Sequence, residues 1–235
     1  MIVERAEHPD WLSNAYLVAE GPGGHGVLVD GNGVVEPLLE RVERDGITIT
    51  HVLRTHGHAD HVVDLPDLAA RFGAPLLGWG DGLEDGTVVE SGELEIRALH
   101  TPGHARDHLA LLVDGTDCLT ADVLFRGTVG GSAGPGGSYD ELRRSIMDTL
   151  MTLPAAPRVH PGHREPTTIG EEWDANPFVR VWRGLDPEGT ETCRVGGREA
   201  TLVLWAPDYD GGHKAWVRFA DGKDAIVGGS RVERG

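Results

Sequence analysis

Thr55-His56-Gly57-His58-Ala59-Asp60-His61 decides how the rest of this chain is read. Three histidines and one aspartate fall within six positions, directly after the apolar, β-like run Ile47 to Leu53. Imidazole nitrogen and carboxylate oxygen are the ligands that a borderline cation such as zinc accepts. Alternate residues of an extended or turning segment point the same way, so His56 and His58 can share one ion. Asp60 and His61, half a turn further on, can face a second ion. A solvated polar loop accounts for one stray histidine, but poorly for four clustered ligands. The stretch reads as a metal site, and as about half of one.

Working upstream, Asn14 to Ala19 and Gly26 to Asp30 are short apolar runs parted by the turn signal Gly21-Pro22-Gly23-Gly24, which predicts a hairpin. Residues 34–45 carry Val34, Val35, Leu38, Leu39 and Val42 at helical spacing, with Pro37 tolerable in a first turn and Gly46 as the stop. The histidine loop therefore follows the C-terminal end of a strand, where α/β architectures usually place chemistry. Asp30 ends its own strand at the same edge and reads either as a turn aspartate or as a carboxylate that orients a ligand.

Downstream, Leu65 to Phe72 reads as a helix with Pro66 near its start and Gly73 as its stop, and Ala74 to Gly78 as a small strand. Leu94 to Leu99 alternates apolar and polar residues and delivers a second polar loop, His100-Thr101-Pro102-Gly103-His104 to His108. A hairpin turning at Asp114-Gly115 then ends at Ala121-Asp122. Residues 126–138 are too glycine-rich for regular structure and read as a connector or as a substrate-facing loop. Ser138 with Glu141 forms a capping box for a helix over about 139–151, and Arg158 to His160 leads into Pro161-Gly162-His163. A last helix starts at Thr167-Thr168 and is closed by Asn176-Pro177. Three times a strand ends in a loop carrying ligand-type side chains.

Composition narrows the class. A net charge of −17, with no basic stripe interleaved with aromatics, repels phosphate backbones and argues against nucleic acid as a partner. There is no apolar run of roughly 18 residues, and the N-terminus lacks the basic-apolar-small order of a signal peptide, so a cytoplasmic protein without a membrane partner is expected. Cys118 and Cys193 lie far apart in no ligand spacing, which suggests two buried thiols.

The order of the motifs is similar to that of the metallo-β-lactamase superfamily: His56-x-His58-x-Asp60-His61, then Thr101-Pro102-Gly103-His104, then Asp122, then Pro161-Gly162-His163. The run Asp122 to Gly130, and Thr167-Thr168-Ile169-Gly170-Glu171 with Asn176-Pro177-Phe178, resembles glyoxalase II-like (hydroxyacylglutathione hydrolase-like) metallohydrolases. The resemblance spans about residues 1–180. It implies an α/β fold of the αββα sandwich type, two divalent metal ions (zinc first, iron or manganese as alternatives), and a small-molecule acyl substrate. It assigns His56, His58 and His104 to one ion, Asp60, His61 and His163 to the other, and Asp122 as the carboxylate bridging both. Asp60 and Asp122 are the catalytic residues it implies. Asp30 and His108 are expected to support the ligands. Where such relatives continue with Arg-Ser/Thr-Asp, this chain has Gly131-Ser132-Ala133, and the tyrosine and lysine cluster that grips glutathione is not found.

The expected activity is hydrolysis of an activated acyl bond, a thioester first. The competing readings are a lactone or phosphodiester hydrolase, a mononuclear iron persulfide dioxygenase of the same fold, and a non-catalytic binding protein. The expected domains are a hydrolase of residues 1–183 and a β-rich, SH3-like module of residues 184–235, read from apolar runs at Ala200 to Trp205, Lys214 to Phe219 and Ala225 to Val227. The module is expected to be a stabilising appendage, a homodimer contact or a binding module. All seven ligand-type residues precede residue 164, so residues 1–183 are expected to fold and act alone.

Overall fold

The computed structural model describes all 235 residues, which form two compact units. The first comprises Met1–His100, Asp107–Ala121 and Gly162–Arg164; the second comprises Thr101–Arg106, Asp122–Pro161 and Glu165–Gly235. No helix is long and apolar enough to cross a membrane.

In the first unit, β1 (Ile2–Glu7), β2 (Asn14–Ala19) and β3 (His25–Val29) run antiparallel. After α1 (Glu36–Asp45), β4 (Thr48–Leu53) returns parallel to β3. Then α2 (Ala59–Val62) and α3 (Leu65–Phe72) lead to β5 (Leu76–Trp79), parallel to β4, and β6 (Gly82–Leu83). A second sheet follows from β7 (Val88–Ser91), β8 (Leu94–His100), β9 (Leu109–Val113) and β10 (Asp117–Ala121), paired antiparallel in sequence order. The strands β2 and β3 are buried on both faces. Ala15, Leu17, Ala19 and Leu28 pack with Leu38, Leu39 and Val42 of α1 and Leu65 and Leu68 of α3. The alternate residues Tyr16, Val18, Val27 and Val29 pack with Ile96, Ala98, Leu109, Leu111 and Leu119 of the second sheet. Helix, sheet and sheet are thus layered over two apolar cores, and each fully buried Leu contributes about 1.5–3 kcal/mol.

The helix stops are those the sequence announces. Gly46 and Gly73 close α1 and α3 with φ of 64° and 59°, a left-handed conformation that favours glycine. The strand β1 was not legible as an apolar alternation, because only Ala6 of its six residues is buried. It is a strand through its six-residue register with β2.

The second unit begins with the pair β11 (Leu124–Phe125) and β12 (Thr128–Val129). The helix expected over 139–151 is α only in α4 (Tyr139–Arg144), continuing as a π turn over Ser145–Thr149 and a 3-10 turn over Leu150–Thr152. Next come β13 (Arg158–Pro161) and β14 (Thr167–Thr168), then α5 (Ile169–Ala175) and α6 (Pro177–Trp182). Asn176-Pro177 does close α5, and it also opens α6: the Asn176 Oδ1 accepts the Phe178 and Val179 N–H groups at 3.0 and 3.4 Å. The chain ends in β15 (Glu191–Val195), β16 (Arg198–Pro207), β17 (His213–Phe219), β18 (Asp224–Gly228) and β19 (Val232–Arg234), one sheet in the order β18-β17-β16-β15-β19. Cys193, Val195, Leu202, Ala215, Val217 and Val227 form its core.

Candidate metal centre

The parallel strands β3 and β4 end side by side, with the Asp30 N–H on the Leu53 carbonyl at 2.9 Å. Asp30 turns back with φ of 60°, and its buried carboxylate gathers three groups of the histidine loop. Oδ1 accepts the Thr55 N–H at 2.8 Å, and Oδ2 accepts the Thr55 hydroxyl at 2.7 Å and lies 2.9 Å from His61 Nδ1. With Nδ1–H donating to Asp30, His61 presents Nε2 as its ligand atom.

His163 is held in the same sense, its Nδ1 lying 3.1 Å from the Trp11 carbonyl. Asp60 Oδ2 lies 3.7 Å from His61 Nε2 and 3.6 Å from His163 Nε2. The ligand atoms of Asp60, His61 and His163 all fall within 4.8 Å of one another. Next to them, His56 Nε2 and His58 Nδ1 face each other at 3.1 Å. Two imidazole nitrogens that close repel through their lone pairs unless a proton or a cation lies between them. Metal–nitrogen bonds of about 2.0–2.1 Å would set neighbouring tetrahedral ligands roughly 3.3 Å apart, so these spacings fit an ion.

In the second unit, His104 Nε2 lies 3.4 Å from Asp122 Oδ2, and its Nδ1 is 2.9 Å from the Gly131 carbonyl. Both ligand-type residues depend on glycine for their backbone path. Gly103 has φ of 126°, and a Cβ there would meet the Leu142 nitrogen at 2.1 Å. A Cβ on Gly130 would sit 2.0 Å from the Asp122 carbonyl oxygen. Only a missing side chain lets these segments close so tightly.

The remaining histidines have plainer places. His108 is buried with its ring 5.2 Å from that of His56, and the neighbouring Leu109 N–H bonds the Thr55 carbonyl at 2.8 Å. His100 stacks on Trp79 at 3.6 Å. The His8 Nδ1 accepts from the Asp10 and Trp11 N–H groups at 3.1 and 3.0 Å. His51 keeps a lowered pKa through burial. Cys118 is fully enclosed, and burial pushes its thiol up to about 12, which leaves it inert at neutral pH. Sequence reasoning missed the Trp11 and Gly131 carbonyls, because a backbone acceptor leaves no signature in residue types.

A profile of the metallo-beta-lactamase superfamily matches residues 8–78. The Homo sapiens hydroxyacylglutathione hydrolase-like protein is 34% identical over 202 residues, covering 77% of this chain and 69% of the relative. The chain belongs to the metallo-β-lactamase superfamily. Among solved structures, ETHE1 from Myxococcus xanthus is 31% identical with a TM-score of 0.72, covering 77% of this chain and 85% of that one. TTHA1623 in a di-iron-bound form is also 31% identical, with a TM-score of 0.64 over 76% of this chain and all of the other, 100%. The fold is therefore the mixed α/β metallo-β-lactamase fold, with extra C-terminal strands. Proteins of this superfamily are usually metal-dependent hydrolases or related enzymes, and this chain carries a His/Asp group fit for metal binding.

Proposed function

We propose that this superfamily member is a dinuclear, zinc-dependent hydrolase of an activated acyl bond, with a thioester as its preferred substrate. The donor set carries the reading. His56, His58, His104 and Asp122 would hold one ion and Asp60, His61 and His163 a second, since each group brings its ligand atoms within 4.8 Å of one another; the resemblance adds that Asp122 would serve both. The resemblance to hydroxyacylglutathione hydrolase-like relatives supports acyl chemistry.

When bound, the two ions supply Lewis acidity and a water whose pKa falls toward neutrality. The chain's part is to hold its donors rigid and to manage one proton. Asp30 and the Trp11 and Gly131 carbonyls keep Nδ1 of three histidines occupied, so each offers Nε2 in a fixed tautomer. Asp60, partly exposed while its partners are buried, accepts the proton of the attacking water. An amine leaving group needs a positioned acid, whereas a thiolate departs with a conjugate acid near pKa ~8.5. His100 is stacked and His108 is buried beside His56, so neither is assigned to that task. Gly131 and Ala133 stand where such relatives carry the Arg and Asp of an Arg-Ser/Thr-Asp triplet, and Ser132 between them is bonded to Ile226, so the run offers glutathione no charged handle.

Metal analysis of the purified protein and a matched panel of thioester, lactone, phosphodiester and amide substrates test the reading. Two equivalents of metal, thioesters faster than amides of the same acid, and a glutathione preference below about a hundredfold in kcat/KM, ~2.7 kcal/mol, are expected. One equivalent after supplementation, or faster amide hydrolysis, would overturn it. The likeness to ETHE1 also fits the reading in which one iron ion on His56, His58 and His104 oxidises a persulfide. Oxygen consumption with a persulfide, together with a single iron per chain, would favour that alternative.

A further inference from the structure

The glycine-rich run that carries Gly131 cannot order itself. Gly130, Gly131, Gly134, Gly136 and Gly137 bring maximal backbone entropy and no side chains to pack. Its order comes from the far end of the chain. The strand β18 is an edge of the C-terminal sheet, and its outward-facing groups at Ile226 are both taken by Ser132. The Ser132 N–H donates to the Ile226 carbonyl at 2.9 Å, and the Ile226 N–H donates to Ser132 Oγ at 2.9 Å. Ser132 thus acts as a one-residue strand against an edge that would otherwise lack partners. Both residues are buried, at 5% and 0% exposure.

Two aromatic contacts flank this clamp. Trp216 of β17 packs 5.2 Å from Tyr139 and 6.3 Å from Trp182, whose indole N–H donates to the Tyr139 hydroxyl at 2.9 Å. Tyr209 packs 4.9 Å from Phe125, three residues after Asp122. The sheet and the turn between β16 and β17 therefore grip the segment from Phe125 to Tyr139 at both ends and in its middle. In that middle, the residue before Ser132 accepts from His104 Nδ1.

We infer that the C-terminal sheet is a working part of the metal centre: through Ser132 it fixes the Gly131 carbonyl that orients His104, making Ser132 a positioning residue. The inference rests on the proposed ligand role of His104. It also opposes the expectation that residues 1–183 act alone, because the order of a ligand's support is supplied from residue 226.

The test uses the full chain, stripped by chelation and titrated with zinc against a competing chelator, and loaded in parallel with cobalt for its visible spectrum. Ser132→Ala should weaken zinc retention by about tenfold and alter the cobalt spectrum, while Ser132→Thr, which keeps the hydroxyl, retains wild-type values. Val195→Ala, in the same sheet but away from the clamp, should lower Tm without changing either readout. In the unmodified protein, zinc loading should slow amide exchange of residues 224–228, since coupling between sites is reciprocal. Zinc affinity and cobalt spectrum in Ser132→Ala equal to wild type, or exchange at 224–228 indifferent to zinc, would overturn the inference. A wild-type protein that takes up no metal would instead bring down the proposed function itself.

Discussion

His61 and His104 are steadied by opposite means. The Nδ1 of His61 meets a buried carboxylate, Asp30, which is locked by two donors from Thr55, one residue before the histidine loop's first ligand. The Nδ1 of His104 meets a backbone carbonyl on a glycine-rich run, whose anchor to β18 spans 94 residues of sequence. The first arrangement is local and charged: one strand ends in an aspartate, the next in a threonine and the ligands. The second is remote and neutral. A charge-assisted bond is roughly twice as strong as a neutral one, so the His61 arm should be stiff and the His104 arm should depend on the packing behind it.

Asp30→Ala breaks the stronger arm and should have the largest effect. It leaves the Thr55 N–H, the Thr55 hydroxyl and the His61 Nδ1–H without their buried acceptor, at a cost of about 1–3 kcal/mol in stability for each donor that finds no other partner. Metal retention should fall by up to about a hundredfold. Urea unfolding and competitive zinc titration read both effects; unchanged metal affinity would mean that Asp30 serves the turn and not the ligand. Gly130→Ala addresses the other arm. Its Cβ collides with the Asp122 carbonyl oxygen, so backbone must shift, and about 1–3 kcal/mol of stability should be lost. Because that shift carries Gly131 and Asp122 with it, zinc retention should weaken too, though less than in Asp30→Ala. Stability equal to wild type would show that the loop has room to relax.

The same contrast explains what sequence could and could not disclose. Helix stops at Gly46 and Gly73, the Asp114-Gly115 turn, and the three strand-loop-ligand stations are set by neighbours in sequence, so local chemistry announces them. The small strand expected over Ala74 to Gly78, found as β5 (Leu76–Trp79), and the hairpin around Gly21 to Gly24 follow from the same signals. The strands β1, β7, β15 and β19 have no such signature. In β15 only Cys193 and Val195 of its five residues are buried, and β19 has three residues of which none is buried. They are strands because partners elsewhere pair with them. The helix expected over 139–151 changes its winding after Arg144, where the Ser145 hydroxyl donates to the Pro102 carbonyl at 2.7 Å, a contact 43 residues away. In the site, the ligand types were visible as a pattern, whereas the carbonyls of Trp11 and Gly131 were visible only once the chain was folded.

The smallest expected effect concerns how the glycine-rich run is entered. Glu172 is buried, and its carboxylate accepts the Gly127 N–H at 2.9 Å, the Thr167 hydroxyl at 2.8 Å and the Asn176 side-chain amide at 2.8 Å. Burial raises its pKa most, and the charge of Glu171 adds to that, while the hydrogen bonds from Asn176, Thr167 and Gly127 pull the other way; the net shift is upward from 4.5. A carboxyl whose folded pKa lies above its unfolded value stabilises the fold fully below the unfolded pKa, and that contribution disappears as pH rises through the folded pKa. Stability owed to Glu172 should therefore decline from about pH 4.5 upward. Glu172→Gln cannot ionise, so its unfolding free energy should lack that decline, and the gap between variant and wild type should move in the variant's favour between pH 4.5 and 7.5. Urea denaturation at those two pH values checks it, with the pH profile mattering more than the absolute cost of a lost acceptor. Parallel profiles would mean that the three donors hold the carboxylate ionised throughout.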